Sequence, residues 1–137
     1  MLRGLTTHNF FAEDVTAAVA WYTELLGVQP YFERRLDGKP AYIEFRIGDY
    51  QHELGILDRR FAPPGAGATG GTLTYWAVDD IESAYQRLLD LGGTAQQGPT
   101  EHGPGFVTAS VIDPFGNILG IMFNQHYLNV LAGQAGE

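Results

Sequence analysis

The 137-residue sequence contains no cysteine. That excludes disulfides, thiolate chemistry and zinc held by cysteine sulfur. Basic residues are scarce: 8 Lys and Arg stand against 16 Asp and Glu, a formal charge of −8. Nucleic-acid phosphates require a basic face, so nucleic acid is not an expected partner. The acidic balance favours solubility and is compatible with a cationic ligand. No apolar run reaches the roughly 20 residues that a bilayer-crossing helix needs, so no membrane partner is expected. The N-terminus, Met1-Leu2-Arg3-Gly4, lacks the charged start, apolar core and cleavage site of a secretory signal. These absences give the expectation of a soluble, cytoplasmic protein.

What is present is ordinary in amount and informative in order. The apolar share is 45%, and the length suits one compact unit or two half-units sharing a core. The most telling stretch is Val111 to Phe123. It reads strand, tight turn, strand. Asp113-Pro114 opens the turn, because proline's fixed φ suits its first central position. Gly116-Asn117 tolerates positive φ at the far side, and Ile118 to Phe123 continues as an apolar strand.

The preceding chain contains a looser copy of the same plan. Leu5 to Ala12 reads as a strand whose faces alternate Thr7, Asn9 and Phe11 with His8, Phe10 and Ala12. Asp14 is a helix N-cap, and Val15, Val19, Tyr22 and Leu26 form an apolar stripe. Gly27 ends that helix. Strands follow near Gln29 to Arg35, Ala41 to Ile47 and His52 to Leu57. Residues 59–71 are rich in Pro and Gly without apolar periodicity and read as a linker. Then the order repeats: a strand at Thr72 to Val78, and a capping box with Asp79 as cap and Glu82 three residues on. A stripe of Ile81, Tyr85, Leu88 and Leu91 follows, with a stop at Gly92-Gly93. Strands near Thr94 to Glu101, Phe106 to Ile112 and Ile118 to Phe123 complete it. Helix starts and stops recur at an offset of about 65 residues, which marks an internal repeat. The expected division is a module at 5–58, the linker at 59–71, a module at 72–123 and a tail at 124–137, the tail carrying a short helical turn near Tyr127 to Leu131.

Asp14-Val15 leading to Trp21-Tyr22 and Gly27, Val78-Asp79-Asp80-Ile81 leading to Leu91-Gly92, and Asp113-Pro-Phe-Gly-Asn117 together resemble the vicinal oxygen chelate superfamily. This is the glyoxalase, bleomycin-resistance and extradiol-dioxygenase group. The resemblance covers about Leu5 to Tyr127. It implies an α+β fold of two tandem βαβββ modules, with curved mixed sheets around a cavity. Metal-using members hold a divalent cation there, with ligands from the first and last strand of each module, and use it as a Lewis acid.

Carried over residue by residue, those four positions fall on Thr7, Glu53, Leu73 and Gly120. Only Glu53 is a metal-ligand type, and one carboxylate does not hold a divalent ion against water. His8 and His52 are each one residue out of register, and a one-residue slip turns a strand side chain to the opposite face. The resemblance therefore disfavours a metal or cofactor in this chain, with a site built from Glu53 and the shifted histidines as the alternative. The expected site is a small-molecule pocket lined by Thr7, Asn9, Phe11, Tyr42, Arg46, Gly55, Leu73, Tyr75, Gly120 and Met122, with Glu44 adjoining. Gly55 and Gly120 are expected to leave room for a ligand at the backbone, close strand packing being the alternative.

Glu53 is the candidate catalytic residue. Without a cation its carboxylate should shift its pKa upward or find a partner in Asn9, Thr7 or Arg46. It is suited to act as a general base, or as an acceptor for a cationic or hydroxyl-bearing ligand. Trp21 and Trp76 read as packing residues, His102 as part of a surface loop, Arg59-Arg60 as solvated, and Asp113 and Asn117 as turn formers. Two functions stay open. One is a binding protein of the bleomycin-resistance type. The other is a lyase or isomerase of the glyoxalase type that uses Glu53 as base or with an atypical metal site. A homodimer is expected by resemblance, with modules paired within the chain or exchanged across the linker.

Overall fold

The computed structural model describes residues 1–66 and 72–133. The glycine-rich end of the expected linker, 67–71, and the end of the tail, 134–137, lie outside the described residues. The chain divides into two compact units. The first is Met1–Thr69 together with Phe115–Asn117, and the second is Gly70–Pro114 with Ile118–Glu137.

The first unit runs β1 (Thr7–Ala12), α1 (Val15–Leu26), β2 (Phe32–Leu36), β3 (Lys39–Ile47) and β4 (His52–Asp58), then a short 3-10 turn at Arg59–Phe61. Its sheet has the order β1-β4-β3-β2, with β1 parallel to β4 and the other pairs antiparallel. Asp14 starts α1 because its Oδ1 accepts from the Ala17 N–H at 3.0 Å, supplying a partner for one orphan donor of the first turn. Gly27, at φ +71°, ends it in the left-handed conformation that glycine adopts at least cost. Val15, Ala18 and Tyr22 of α1 are buried with Phe10, Ala12, Ala41, Ile43, Phe45, Leu54 and Ile56 of the sheet. Each large apolar side chain in this layer contributes about 1.5–3 kcal/mol.

The turn residues Phe115–Asn117 are part of this unit and are fastened to β1. The Phe11 N–H donates to Asn117 Oδ1 at 3.0 Å, and Asn117 Nδ2 donates to the Phe11 carbonyl at 2.9 Å. Arg59 Nη2 donates to the Phe115 carbonyl at 2.6 Å and to that of Phe11 at 3.4 Å. Trp21 meets Phe115 edge-on, ring centroids 6.3 Å apart. Two expectations are corrected. Asn117 does more than form a turn, because its amide supplies both hydrogen bonds of a strand neighbour. Arg59 is half-buried and hydrogen-bonded instead of solvated.

The second unit runs β5 (Tyr75–Ala77), α2 (Ile81–Asp90), β6 (Thr94–Gly103), β7 (Phe106–Ile112), β8 (Ile118–Asn124) and α3 (Gln125–Leu131). The sheet order is β5-β8-β7-β6, with β5 parallel to β8. It repeats the topology of the first unit. Leu88 of α2 is buried with Ala109, Val111, Leu119 and Ile121. The helix cap is Asp80 instead of Asp79: its Oδ1 accepts from the Ser83 N–H at 3.2 Å. The first strand is shorter than the apolar pattern suggests, so Leu73 precedes it and stands 44% exposed. His102 lies inside β6, not in a loop. The fold is α+β, two βαβββ modules with curved, unclosed mixed sheets.

Replacing Asn117 with Ala leaves the Phe11 N–H and carbonyl without these partners. Chemical denaturation should show a loss of about 1–3 kcal/mol. Asn117→Asp keeps the acceptor and loses the donor, and should recover only part of it.

Candidate functional site

The register of the first sheet decides which side chains share a face. Thr7 pairs with Glu53 and Asn9 with Gly55 across β1 and β4. Arg46 pairs with Glu53 and Glu44 with Gly55 across β3 and β4. Because side chains alternate along each strand, Thr7, Asn9, Phe11, Glu53, Gly55, Tyr42, Glu44 and Arg46 share one face. The opposite face is the buried one that carries α1.

Glu53 sits at the centre of a polar cluster on that face. Its side chain is 17% exposed. Thr7 Oγ1 donates to Glu53 Oε2 at 2.5 Å, and Arg46 Nη2 lies 2.9 Å from Oε1. Thr7 and Arg46 are two of the three partners the sequence offers Glu53; Asn9 turns instead toward Gly55 and Tyr42. The Arg46 guanidinium also lies 4.9 Å from the centroid of the Tyr31 ring, a cation–π contact. Glu44 accepts from the hydroxyls of both Tyr31 and Tyr42, the latter at 2.5 Å. Burial pushes the Glu44 carboxyl above its ordinary range, and the charge of Glu53 pushes it further, against the opposing pull of Arg46. Burial, then Glu53, raises the Tyr42 phenol as well.

Gly55 does not hold open space for a ligand. A Cβ there would stand 2.1 Å from Asn9 Oδ1 and 2.7 Å from the Tyr42 ring and hydroxyl. The missing side chain makes room for these two neighbours, which is the close-packing alternative. His8 faces the α1 side, as its register requires. It meets Phe10 edge-on with centroids 4.7 Å apart, and burial lowers its pKa.

In the second unit Tyr75 pairs with Gly120 and Ala77 with Met122, so Tyr75, Gly120 and Met122 share a face. Gly120 also serves close packing: a Cβ there would meet the Thr74 carbonyl at 2.6 Å and Tyr75 Cδ1 at 2.7 Å. The same face carries buried Thr108 and Ser110, paired with Met122 and Gly120. His102 Nε2 is 2.7 Å from Thr108 Oγ1, and Ser110 donates to Gln96 Oε1. Trp76 is opposite Tyr75 and pairs with buried Ile121.

No sequence pattern singles out Tyr31. It lies just ahead of β2, where no alternation reaches, and it joins the cluster through its N–H bond to the Glu44 carbonyl (3.0 Å), its hydroxyl on the Glu44 carboxylate and its ring under Arg46. Gln96 and Ser110 carried no signal beyond strand alternation.

The donor set does not fit the family's metal. Thr7, Leu73 and Gly120 offer no imidazole or carboxylate, and both oxygens of Glu53 are engaged by a hydroxyl and a guanidinium. Among the described residues no group of three or more His, Asp and Glu could hold a metal ion.

A family model described as the Glyoxalase/Bleomycin resistance protein/Dioxygenase superfamily matches residues 5–121. No curated protein matches the sequence. Solved structures with the same fold include a member of that superfamily from Sphaerobacter thermophilus DSM 20745. It is 21% identical, with 88% of this chain and 97% of that one covered and a TM-score of 0.69. A glyoxalase-related enzyme from Fulvimarina pelagi is 21% identical over 91% of both chains, TM-score 0.70. A lactoylglutathione lyase from Agrobacterium tumefaciens is 20% identical over 89% and 94%, TM-score 0.66. At these identities the likeness is one of fold.

The two glycines give contrasting expectations. Gly55→Ala presses on side-chain ends and should cost about 1–3 kcal/mol, with part recovered when Asn9→Ala is added. Gly120→Ala presses on the Thr74 carbonyl as well as on the Tyr75 ring, so truncating Tyr75 should leave the backbone clash in place and recover a smaller share of the loss in denaturant titration. For His8 the folded-state pKa is lowered, so the unfolded chain takes up its proton first as pH falls. Stability should decline as pH drops below about 6.5, and His8→Gln should flatten that decline in thermal melts.

Proposed function

The chain belongs to the glyoxalase/bleomycin resistance protein/dioxygenase superfamily, and from that premise we propose that it binds a small organic molecule on the Glu53 face of the first sheet without a metal. The observation that carries this reading is the state of Glu53, whose two oxygens are held by Thr7 and Arg46 on a face that also presents Tyr31, Tyr42 and Glu44. In this arrangement the guanidinium supplies the positive charge that a cation supplies in metal-using relatives. Within the cluster two carboxylates, Glu44 and Glu53, stand against the one guanidinium of Arg46, with Arg34, which pairs with Tyr42, farther out on the same face, and aromatic rings border it. That composition suits a ligand with a cationic or hydroxyl-bearing group, since rings bind cations through their negative faces and carboxylates accept hydrogen bonds. The chain's charge of −8 would speed the approach of a cation. Phe11 borders the face in the first unit. In the second unit, taken by itself, Tyr75, Gly120 and Met122 share a face and, with Leu73, are proposed as ligand contacts there.

The enzymatic alternative, a lyase or isomerase with Glu53 as base, has less support. A substrate proton would have to compete with Thr7 and Arg46 for the Glu53 carboxylate, whose two oxygens each already accept from one of them. We place the protein in the cytoplasm and as a homodimer, the latter because β2 is an edge strand exposed along its whole length, with Phe32 and Leu36 outward. No helix of the described residues is long and apolar enough to cross a membrane.

Metal analysis of protein purified without chelator, followed by a thermal-shift screen of cationic drugs, small oxo-acids and glutathione adducts, tests the proposal. The expected result is sub-stoichiometric metal, with a stabilising ligand whose effect is lost in Glu53→Gln. A stoichiometric ion that disappears in Glu53→Gln would overturn it. For a cationic ligand, affinity should fall as pH drops toward the raised pKa of Glu44, because protonation removes one of the two negative charges. Glu44→Gln should abolish that dependence.

A further inference from the structure

At the far end of β4 from Glu53 lies a second feature. Asp58, the last residue of β4, pairs with Ala12, the last of β1. Five residues separate Asp58 from Glu53, roughly 17 Å along a strand. Around Asp58 opens a cleft of about 580 Å³ lined by Glu13, Lys39, Asp58, Arg59 and Arg60. It is a solvent-open cleft with a charged lining, suited to a small charged group more than to an apolar ligand. Three of the eight basic residues of an acidic chain meet here.

The charges of this cleft are not matched to one another. Asp58 is already committed. Its Oδ1 accepts from the Arg60 N–H at 2.9 Å, and its Oδ2 lies 3.1 Å from Arg60 Nη2. Arg60 is further held over the Phe61 ring at 5.2 Å. Arg59 is fixed by the carbonyls of Phe115 and Phe11, which accept hydrogen bonds and carry no net charge. Among the described residues neither Arg59 nor Lys39 has a carboxylate within ion-pair distance. Glu13 is the one lining carboxylate not engaged by Arg60. The result is a half-buried, hydrogen-bonded guanidinium and an ammonium lining one cleft, neither with a carboxylate within ion-pair distance among the described residues, while Asp37 acts on Arg60 from a greater distance. A guanidinium fork matches the geometry of carboxylate and phosphate oxygens, and a side chain already held in place loses little entropy on binding.

We propose that this cleft binds the oxyanion group, carboxylate or phosphate, of a small molecule through Lys39 and Arg59, independently of the Glu53 face. Arg60, neutralised by Asp58, borders the site, and Glu13 opposes the anion and limits its affinity.

The test is titration of the full chain with inorganic phosphate and, separately, with citrate at constant low ionic strength, followed by backbone amide NMR shifts, with sodium chloride as control. Saturable shifts clustered at Lys39, Arg59 and Arg60 are expected with at least one of the two probes. Tighter phosphate binding would assign the ligand group as a phosphate, and tighter citrate binding as a carboxylate. Lys39→Gln, at an exposed position, should weaken binding about fivefold. Glu13→Gln should tighten it, and Arg34→Gln, on the exposed β2 strand and not among the residues that line the cleft, should leave it unchanged. Shifts that do not saturate, that chloride reproduces, or that fall equally in Lys39→Gln and Arg34→Gln would overturn the proposal.

Discussion

The parallel pairing of β1 with β4 is the constraint on which the first unit depends. With Thr7 opposite Glu53, His8, Phe10 and Ala12 align with Leu54, Ile56 and Asp58 on the α1 side, and Thr7, Asn9 and Phe11 align with Glu53, Gly55 and Leu57 on the other. A slip of β4 by one residue would put Glu53 into the layer that holds Tyr22 and Phe45 and bring Ile56 to the polar face. The apolar burial of that layer, several side chains at 0–5% exposure, therefore also fixes the polar cluster. Core and site are two readings of one register.

Given that register, Glu53 needs compensation. A carboxylate only 17% exposed is costly unless its oxygens are satisfied. Thr7 and Arg46 are the residues directly across from it on the two flanking strands, so the compensation is local and geometric. Arg46 is itself 45% exposed, and water screens its charge. The pair is thus better viewed as holding two side chains in place than as a large source of stability. The same guanidinium reaches Tyr31, and Glu44 reaches Tyr31 and Tyr42. The cluster is one connected network, and a ligand entering it must exchange partners with it instead of filling a void.

Much of this was legible in the sequence because it rests on periodicity. Strand alternation placed Thr7, Asn9, Glu53, Gly55, Tyr42 and Arg46 on one face and turned His8 away. The helix stops and the duplicated order gave the two modules. What the sequence did not reveal depends on contacts distant in the chain. Asp79 and Asp80 are both good caps by composition, and only the backbone path selects Asp80. Gly55 and Gly120 look like openings for a ligand. The neighbouring side chain of Asn9 and the Thr74 carbonyl make them accommodations of close packing. Tyr31 and Arg59 lie in irregular segments where no period applies, and their partners are a strand carbonyl and a turn more than 50 residues on.

That turn joins the two themes. β1 lies at the edge of its sheet, so its second side would offer unpaired N–H and carbonyl groups. At Phe11 the Asn117 amide satisfies one of each. An amide side chain suits the place, since it presents a donor and an acceptor from one carbon in the same plane, as a peptide group does. Arg59 adds a bond to the same Phe11 carbonyl and a shorter one to Phe115. β1 is therefore held on one side by β4 and on the other by a turn over a hundred positions later. A side chain that composition assigns to local turn geometry fixes the strand that carries Thr7 and Asn9. The register that orients Glu53 is thus secured by residues that never touch it.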